Sequence, residues 1–103
     1  MIYDTIIVGS GTAGLSAAVY AGRAQLNYAV IDKISGSIGQ ISGSSRVDNY
    51  LGLYGESGYE LGMKFRRHAQ ALGTKFIEGE VIKIISDNGI YEILLQSEEP
   101  LQT

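Results

Sequence analysis

Cysteine is absent from this sequence of 103 residues. Within the chain, its absence excludes a disulfide, a thiolate metal site and a dithiol redox centre. Long apolar runs are missing as well, since no stretch approaches the roughly 18 residues needed to cross a bilayer. Met1 leads directly into a strand-like run without the pattern of a signal peptide. We therefore expect a cytoplasmic protein that has no membrane partner.

Positive charge is scarce, because 8 Lys and Arg residues stand against 11 Asp and Glu residues, for a net charge of -3. This balance argues against a nucleic-acid partner, whose affinity depends on basic side chains at phosphates. The only local basic cluster, Lys64, Arg66 and Arg67, is interpreted as a solvated helix face. The single histidine, His68, has no base, nucleophile or metal partner in view. We therefore predict no catalytic residue and no metal site.

A glycine-interrupted βαβ pattern occupies the first third of the chain. Residues 4–8 form a short apolar run rich in β-branched residues, which is typical of a buried strand in a parallel sheet. A glycine-rich turn follows, and the pattern predicts a helix over residues 15–24. Residues 28–31 predict a second strand, closed by Asp32. The composition, 45% hydrophobic and 18% charged, suits one globular domain of this size.

The remaining elements are predicted from end signals and turn signals. Residues 33–58 are dense in Gly and Ser and form a long connection, with at most a helical turn near residues 39–42. Ser57 and Glu60 match a capping box that opens a helix to about Leu72. Residues 75–77 predict a third parallel strand. Residues 81–85 and 90–95 flank an Asn-Gly turn, which predicts an antiparallel hairpin laid across the main sheet. After Gln96 the sequence becomes polar, and the predicted α/β architecture has no element there.

The turn after the first strand has the spacing G-x-G-x-x-G, formed by Gly9, Gly11 and Gly14. The first glycine permits a sharp turn, the second leaves room for a pyrophosphate, and the third allows close helix–strand packing. The pyrophosphate would then lie on backbone amides at the positive end of the helix dipole. Leu15 stands where a P-loop requires lysine, which excludes that motif. The remaining alternative is a tight turn that binds nothing.

Asp32 lies about 20 residues beyond the glycine turn, at the end of the second predicted strand. Its carboxylate can accept hydrogen bonds from both ribose hydroxyls of an adenosine. It would also repel a 2′-phosphate, which favours FAD or NAD over NADP. The alternative interpretation of Asp32 is a strand-end residue that faces water.

Five segments of the chain resemble the thioredoxin reductase family of pyridine nucleotide-disulfide oxidoreductases. Residues 3–24, YDTIIVGSGTAGLSAAVYAGRA, closely resemble its amino-terminal FAD-binding signature. Gly39-Gln40-Ile41 resembles its flavin loop, and Val47-Asp48-Asn49-Tyr50 resembles its Val-Glu-Asn-aromatic motif. Residues 57–61 are similar to the start of its next helix, and Gly79-Glu80-Val81 to its segment beside adenine. These segments occur in the expected order across essentially the whole chain.

The resemblance implies a Rossmann-like FAD/NAD(P)-binding three-layer fold, with residues 1–103 forming a partial FAD-binding domain. It implies that Asp32 holds the ribose, that Gln40 and Asn49 bond the flavin or its ribityl chain, and that the Val81 backbone meets adenine. Lys33 and Gly39 complete the candidate site as the neighbours of Asp32 and Gln40. The candidate pyrophosphate contacts are Gly9, Ser10, Gly11, Thr12, Ala13 and Gly14.

Some features depart from the family pattern. Ile38 replaces a glycine, Leu51 replaces a proline, and Lys33 has no assigned counterpart. Family members continue with a strand ending in Ala-Thr-Gly and with an NADPH domain that carries a Cys-x-x-Cys pair. We therefore expect NADPH and a thioredoxin-like disulfide partner only for a complete enzyme.

Three other functions stay open at the level of sequence. The chain could be a dinucleotide-binding module without turnover, or a structural fragment that assembles into a homodimer. NAD could replace FAD, because the glycine turn and Asp32 serve either cofactor. Gln40 and Asn49 discriminate between the two cofactors, because they matter only for a flavin.

Overall fold

The structure is a computed structural model that describes residues 2–33, 40–96 and 100–103. Its elements divide between a parallel sheet with two helices and a separate antiparallel sheet. The bounds, in chain order, are β1 Thr5–Val8, α1 Thr12–Arg23, β2 Tyr28–Asp32, a short 3₁₀ helix Gln40–Gly43, α2 Gly58–Ala71, β3 Lys75–Glu78, β4 Val81–Asp87, β5 Ile90–Leu95 and β6 Leu101–Gln102. No helix within these described ranges is long and apolar enough to cross a membrane.

The parallel sheet has the strand order β1-β2-β3, with β2 in the centre. All five residues of β2 are buried, which explains why the sequence before Asp32 does not alternate between apolar and polar residues. Asp32 is the only carboxylate of β2, and it is the last residue of the strand. The predicted βαβ unit and third parallel strand are confirmed. The first helix begins at Thr12, three residues earlier than predicted.

Helices α1 and α2 cover one face of the parallel sheet. The core on this side combines small residues of the helices with larger residues of β2. Its buried members are Leu15, Ala18, Ala21, Tyr28, Val30 and Ala69. Alanines allow the helices to lie close to the strands, and the contact excludes water from the apolar atoms.

The antiparallel sheet covers the opposite face of the parallel sheet. Ile93 and Leu95 of β5 pack against Ile31 of β2, with Ile6 and Val81 at the margin of the cluster. The result is a three-layer α/β arrangement, which confirms the predicted Rossmann-like fold with its crossing hairpin. The hairpin turn is formed by Asn88 and Gly89, with φ angles of 52° and 81°. Two consecutive positive φ angles suit the right-handed twist of a hairpin, which is why Asn-Gly was a reliable signal.

Strand β6 is an addition that the sequence did not predict. Its two residues pair with β5 through Glu92–Gln102 and Ile93–Leu101. The backbone oxygen of Gln102 also accepts a hydrogen bond of 2.9 Å from the backbone nitrogen of Tyr3. A two-residue strand has no periodicity to read, so only its partners in the fold define it.

Helix α2 begins with the predicted cap. The backbone nitrogen of Glu60 donates to the side-chain oxygen of Ser57 over 3.1 Å. The cap satisfies one of the amides that the first turn of a helix leaves without a partner.

We expect Ser57→Ala to lower the free energy of unfolding by about 1 kcal/mol, because it removes this hydrogen bond. Urea unfolding followed by circular dichroism measures the change. Ser45→Ala, at an exposed position outside the helices and strands, is the matched control. Equal stability of the two variants would mean that the cap contributes nothing.

Candidate functional site

The candidate site lies at the carboxyl edge of the parallel sheet, where ligands bind in open α/β folds. The glycine turn follows β1, Asp32 ends β2, and the connection to β4 follows β3. The backbone nitrogen of Gly9 donates to the oxygen of Ile31 over 2.9 Å, and that of Gly79 donates to the oxygen of Asp32 over 2.7 Å. These two hydrogen bonds tie the glycine turn and the β3–β4 connection to the end of β2.

Each glycine of the turn meets different surroundings. Gly9 has a φ of +102°, a conformation that other residues rarely adopt. A Cβ atom on Gly14 would overlap the backbone oxygen of Gly9, so the helix can approach the strand only without a side chain there. A Cβ atom on Gly11 would meet nothing within 4 Å. The fold therefore requires glycine at positions 9 and 14, whereas the glycine at 11 leaves open space.

That open space is part of a cavity of about 390 Å³. The cavity is lined by Val8, Gly9, Gly11, Thr12, Ala13, Gly14 and Ile41. The first amides of a helix have no acceptor within the helix, and Gly11, at the N-cap of α1, provides no side chain to cap them. The positive end of the helix dipole adds to this preference for an anion. Ser10 is different from its neighbours, because it is buried and already has an interaction partner.

The 3₁₀ helix brings the predicted flavin loop to the glycine turn. Ile41 lines the cavity, next to Gln40, the first residue of the 3₁₀ helix. Gly58 holds this helix in place, because its nitrogen donates to the oxygen of Ser44 over 2.7 Å. A Cβ atom on Gly58 would overlap the backbone oxygen of Ile41. Gln40 therefore directly precedes a residue that lines the cavity, while the Gln40 side chain and Gly39 lie outside the described residues.

Asn49 lies on a loop that a short bridge closes. Val47 pairs with Glu56, and the nitrogen of Val47 donates to the Glu56 oxygen over 2.6 Å. Asn49 is exposed. The ring of its neighbour Tyr50 packs against Phe65 of α2 with a centroid distance of 5.2 Å. Asn49 is not among the residues that line the cavity at the glycine turn.

Asp32 does not face water. Its residue is 2% exposed, and its Oδ2 accepts a hydrogen bond of 3.0 Å from Nη2 of Arg66. Arg66 is itself only 7% exposed, and its guanidinium carbon lies 3.9 Å from the ring centroid of Phe76. The prediction that Arg66 lies on a solvated helix face is therefore wrong, although Arg67 is exposed. Arg66 was missed because its partner is 34 residues away in the sequence.

Lys33 directly follows β2, and Val81 begins β4 shortly after the end of β3. Lys33 is exposed, and its Nζ lies 3.5 Å from a carboxylate oxygen of Glu80. Such an exposed ion pair contributes little to stability. Val81 begins β4 opposite Leu95, where the pairing register shifts. Both residues therefore adjoin the end of β2.

These features fit the ADP half of FAD. The open space at Gly11 and the amides at the start of α1 suit a pyrophosphate. Oδ1 of Asp32 is buried and has no hydrogen-bond partner in the part of the chain that the structure describes. A buried acceptor without a partner is costly, and a ribose hydroxyl would satisfy it. Among the described residues, no group of three or more His, Cys, Asp or Glu side chains could hold a metal ion.

The fold and the glycine turn suit a dinucleotide, and the comparisons with known proteins identify the chain as an FAD-binding domain. Residues 4–46, which contain the βαβ unit and the 3₁₀ helix, match the family model described as FAD binding domain. Over its whole length, the chain matches the amino-terminal FAD-binding segment of the thioredoxin reductase family. FAD is accordingly the cofactor of this segment.

The similarity extends to curated proteins and to solved structures. The chain is 38% identical over 94 residues to thioredoxin reductase of Bacillus subtilis, covering 90% of the chain and 29% of the relative. It is 32% identical to that of Mycoplasmopsis pulmonis, covering 98% of the chain and 33% of the relative. The crystal structure of thioredoxin reductase from Streptococcus pyogenes superposes with a TM-score of 0.91 at 34% identity, covering 98% of this chain and 32% of that one. The chain thus spans about a third of the length of these relatives.

Proposed function

We propose that the chain holds FAD with the pyrophosphate over the glycine turn and the adenosine ribose at Asp32. The observation that supports this most directly is the cavity at the start of α1, which is lined by the glycine turn and into which Gly11 leaves open space. The amides of the first helical turn would donate to the pyrophosphate from residues 11–14. Ser10 would stabilise the turn from the protein interior, because this residue is buried.

The two ends of the cofactor would extend in opposite directions from this point. The adenosine would run toward Asp32, Lys33 and the backbone of Val81, which lie at the ends of β2 and β3. The flavin would run toward Gly39, Gln40 and Asn49, because Ile41 already borders the cavity. Amide side chains both donate and accept, as a flavin edge requires. NAD would leave Gln40 and Asn49 without a role.

In a complete enzyme of this family, we propose that FAD carries electrons from NADPH to a disulfide, which is chemistry that the cofactor supplies. The residues of this chain would bind and orient the cofactor, and none of them would act on the disulfide. The matches to reductases do not favour the alternative of a module that binds FAD or NAD without turnover. Four statements stay predictions. They are that residues 1–103 form a partial domain, that the chain forms a homodimer, that a complete enzyme has a thioredoxin-like partner, and that the protein is cytoplasmic.

Titration with FAD, FMN and ADP tests the proposed orientation. We expect the purified chain to retain flavin absorbance after incubation with excess FAD and desalting, but not after incubation with FMN. ADP should compete with FAD, because the glycine turn and Asp32 hold the part that FMN lacks. A folded chain that retains no FAD would overturn the proposed binding. Equal retention of FMN and FAD would overturn the assignment of the ADP half to the glycine turn.

Gln40→Ala and Asn49→Ala test the flavin side of the site. Each variant should weaken FAD binding by about tenfold, because one hydrogen bond to the flavin or its ribityl chain is lost. Neither should change the affinity for ADP, which serves as the readout of an intact fold. Gln70→Ala, at an exposed position on α2, is the matched control. An unchanged affinity for FAD in both variants would return NAD to consideration.

A further inference from the structure

The buried ion pair between Asp32 and Arg66 is the feature that the cofactor chemistry alone does not explain. Of the described residues, Asp32, Arg66 and Ser10 are the buried polar or charged ones. A buried ion pair often adds little net stability, because the loss of hydration offsets the attraction between the charges. A role in orientation is therefore a better explanation of the pair than a role in stability.

The geometry of the pair is asymmetric. Arg66 bonds Oδ2 of Asp32 over 3.0 Å, whereas Oδ1 has no hydrogen-bond partner within the described ranges. The two carboxylate oxygens are chemically equivalent, so the pair fixes the orientation of the carboxylate and not the identity of the bonded oxygen. The guanidinium can fix this orientation because it is itself held over the ring of Phe76 at 3.9 Å. Phe76 belongs to β3 and pairs in register with Val30 of β2, so the ring is fixed to the same sheet as Asp32.

We infer that Arg66 is a positioning residue for the ribose site. It holds Oδ2 of Asp32 and thereby reserves Oδ1 as the acceptor for a ribose hydroxyl. The inference rests on the proposed function, since it concerns how Asp32 recognises the adenosine of FAD. Arg66 lies on α2, beyond the residues that the glycine fingerprint identifies, and it is not proposed to touch the cofactor.

The same arrangement determines which nucleotides the site discriminates against. Oδ1 is closed off from solvent, so a ribose has to displace the groups that cover it. A ribose with hydroxyl groups recovers this cost by donating a hydrogen bond to a charged acceptor. A dideoxyribose makes the same displacement and leaves Oδ1 without a partner. The discrimination between the two sugars is therefore the property that Arg66 should control.

The test compares ADP with 2′,3′-dideoxy-ADP, each titrated against the FAD-loaded chain as a competitor. We expect the unmodified chain to bind ADP at least about tenfold more tightly, which corresponds to the loss of one hydrogen bond to a charged group. In Arg66→Met the ratio should fall below about threefold, because the carboxylate is no longer held. In Arg66→Lys the ratio should be intermediate, because an ammonium keeps the charge but lacks the planar fork. Arg67→Met, an exposed neighbour, should keep the full ratio.

The ratio separates positioning from a purely structural role. Loss of structure would weaken the binding of both nucleotides equally, and the ratio of their affinities would stay unchanged. If Arg66→Met does not fold, as judged by circular dichroism, Arg66→Lys decides: an intermediate ratio supports the inference and a full ratio overturns it. A folded Arg66→Met with a full ratio would also overturn it.

Measurements on the unmodified chain distinguish a failure of the proposed function from a failure of the positioning role. A chain that binds neither FAD nor ADP would overturn the proposed function and the inference together. A chain that binds FAD but does not distinguish ADP from its dideoxy analogue would overturn the role of Asp32 at the ribose, and with it that of Arg66. Only an unchanged ratio in the Arg66 variants overturns the positioning role alone.

Discussion

Replacing Gly11 with valine is expected to abolish retention of FAD while leaving the fold intact. A Cβ atom at this position meets nothing within 4 Å, and the backbone has ordinary angles, with a φ of -71°. The new side chain would therefore enter the cavity and not the core. It would keep the pyrophosphate away from the amides of α1, and losing even one charge-assisted hydrogen bond weakens binding by about 10- to 100-fold. Flavin absorbance after desalting measures the loss.

The control for this variant is Gly43→Val. Gly43 also faces open space, but it does not line the cavity. The free energy of unfolding of both variants should lie within about 1 kcal/mol of that of the unmodified chain, which is the range of a changed helix cap. If Gly11→Val retained FAD as well as Gly43→Val does, the pyrophosphate could not lie over the glycine turn, and the proposed site would be wrong.

Replacing Gly14 with alanine should have the opposite effect to Gly11→Val, because it should lower the stability of the fold. The added Cβ atom would overlap the backbone oxygen of Gly9, and backbone cannot move aside as a flexible side chain can. Overpacking typically costs about 1–3 kcal/mol, and a backbone overlap belongs at or above the upper end. For a domain of this size, we expect the midpoint of thermal unfolding to fall by about 10 °C or more.

Gly11→Ala is the matched control for the alanine substitution at Gly14. The same methyl group at position 11 meets open space, so thermal unfolding followed by circular dichroism should change little. Equal unfolding temperatures for the two variants would show that α1 can shift away from β1 without loss. In that case, the close approach of helix and strand would not explain the third glycine of the motif.

The three glycines of the turn have different roles, and their place in the sequence predicts the local structure around them. Their spacing, the strand before them and the helix after them were enough to predict the βαβ unit, and the anion site at the start of the helix stays a prediction. The Ser57 cap and the Asn88-Gly89 turn were equally reliable. Each of these signals acts within a few residues, because helix ends and tight turns are determined by local backbone geometry.

Sequence patterns did not predict the contacts between distant segments of the chain. The sequence analysis grouped Arg66 with Arg67 on a solvated face, but the packing of α2 on the sheet buries Arg66 and leaves Arg67 exposed. Strand β6 likewise exists because β5 and Tyr3 provide its hydrogen bonds. The position of Ile41 at the cavity depends on Gly58, which lies 17 residues further along the chain at the start of α2.

The sequence by itself determined the α/β order of elements, the glycine turn and the position of an acidic residue at the end of β2. Local sterics, hydrogen bonding and hydrophobic periodicity carry that information along the chain. The tertiary structure alone decided that Asp32 is buried and that Arg66 holds one of its two oxygens. Side chains 34 residues apart meet only when a helix packs on a sheet, and no pattern within either segment specifies that meeting.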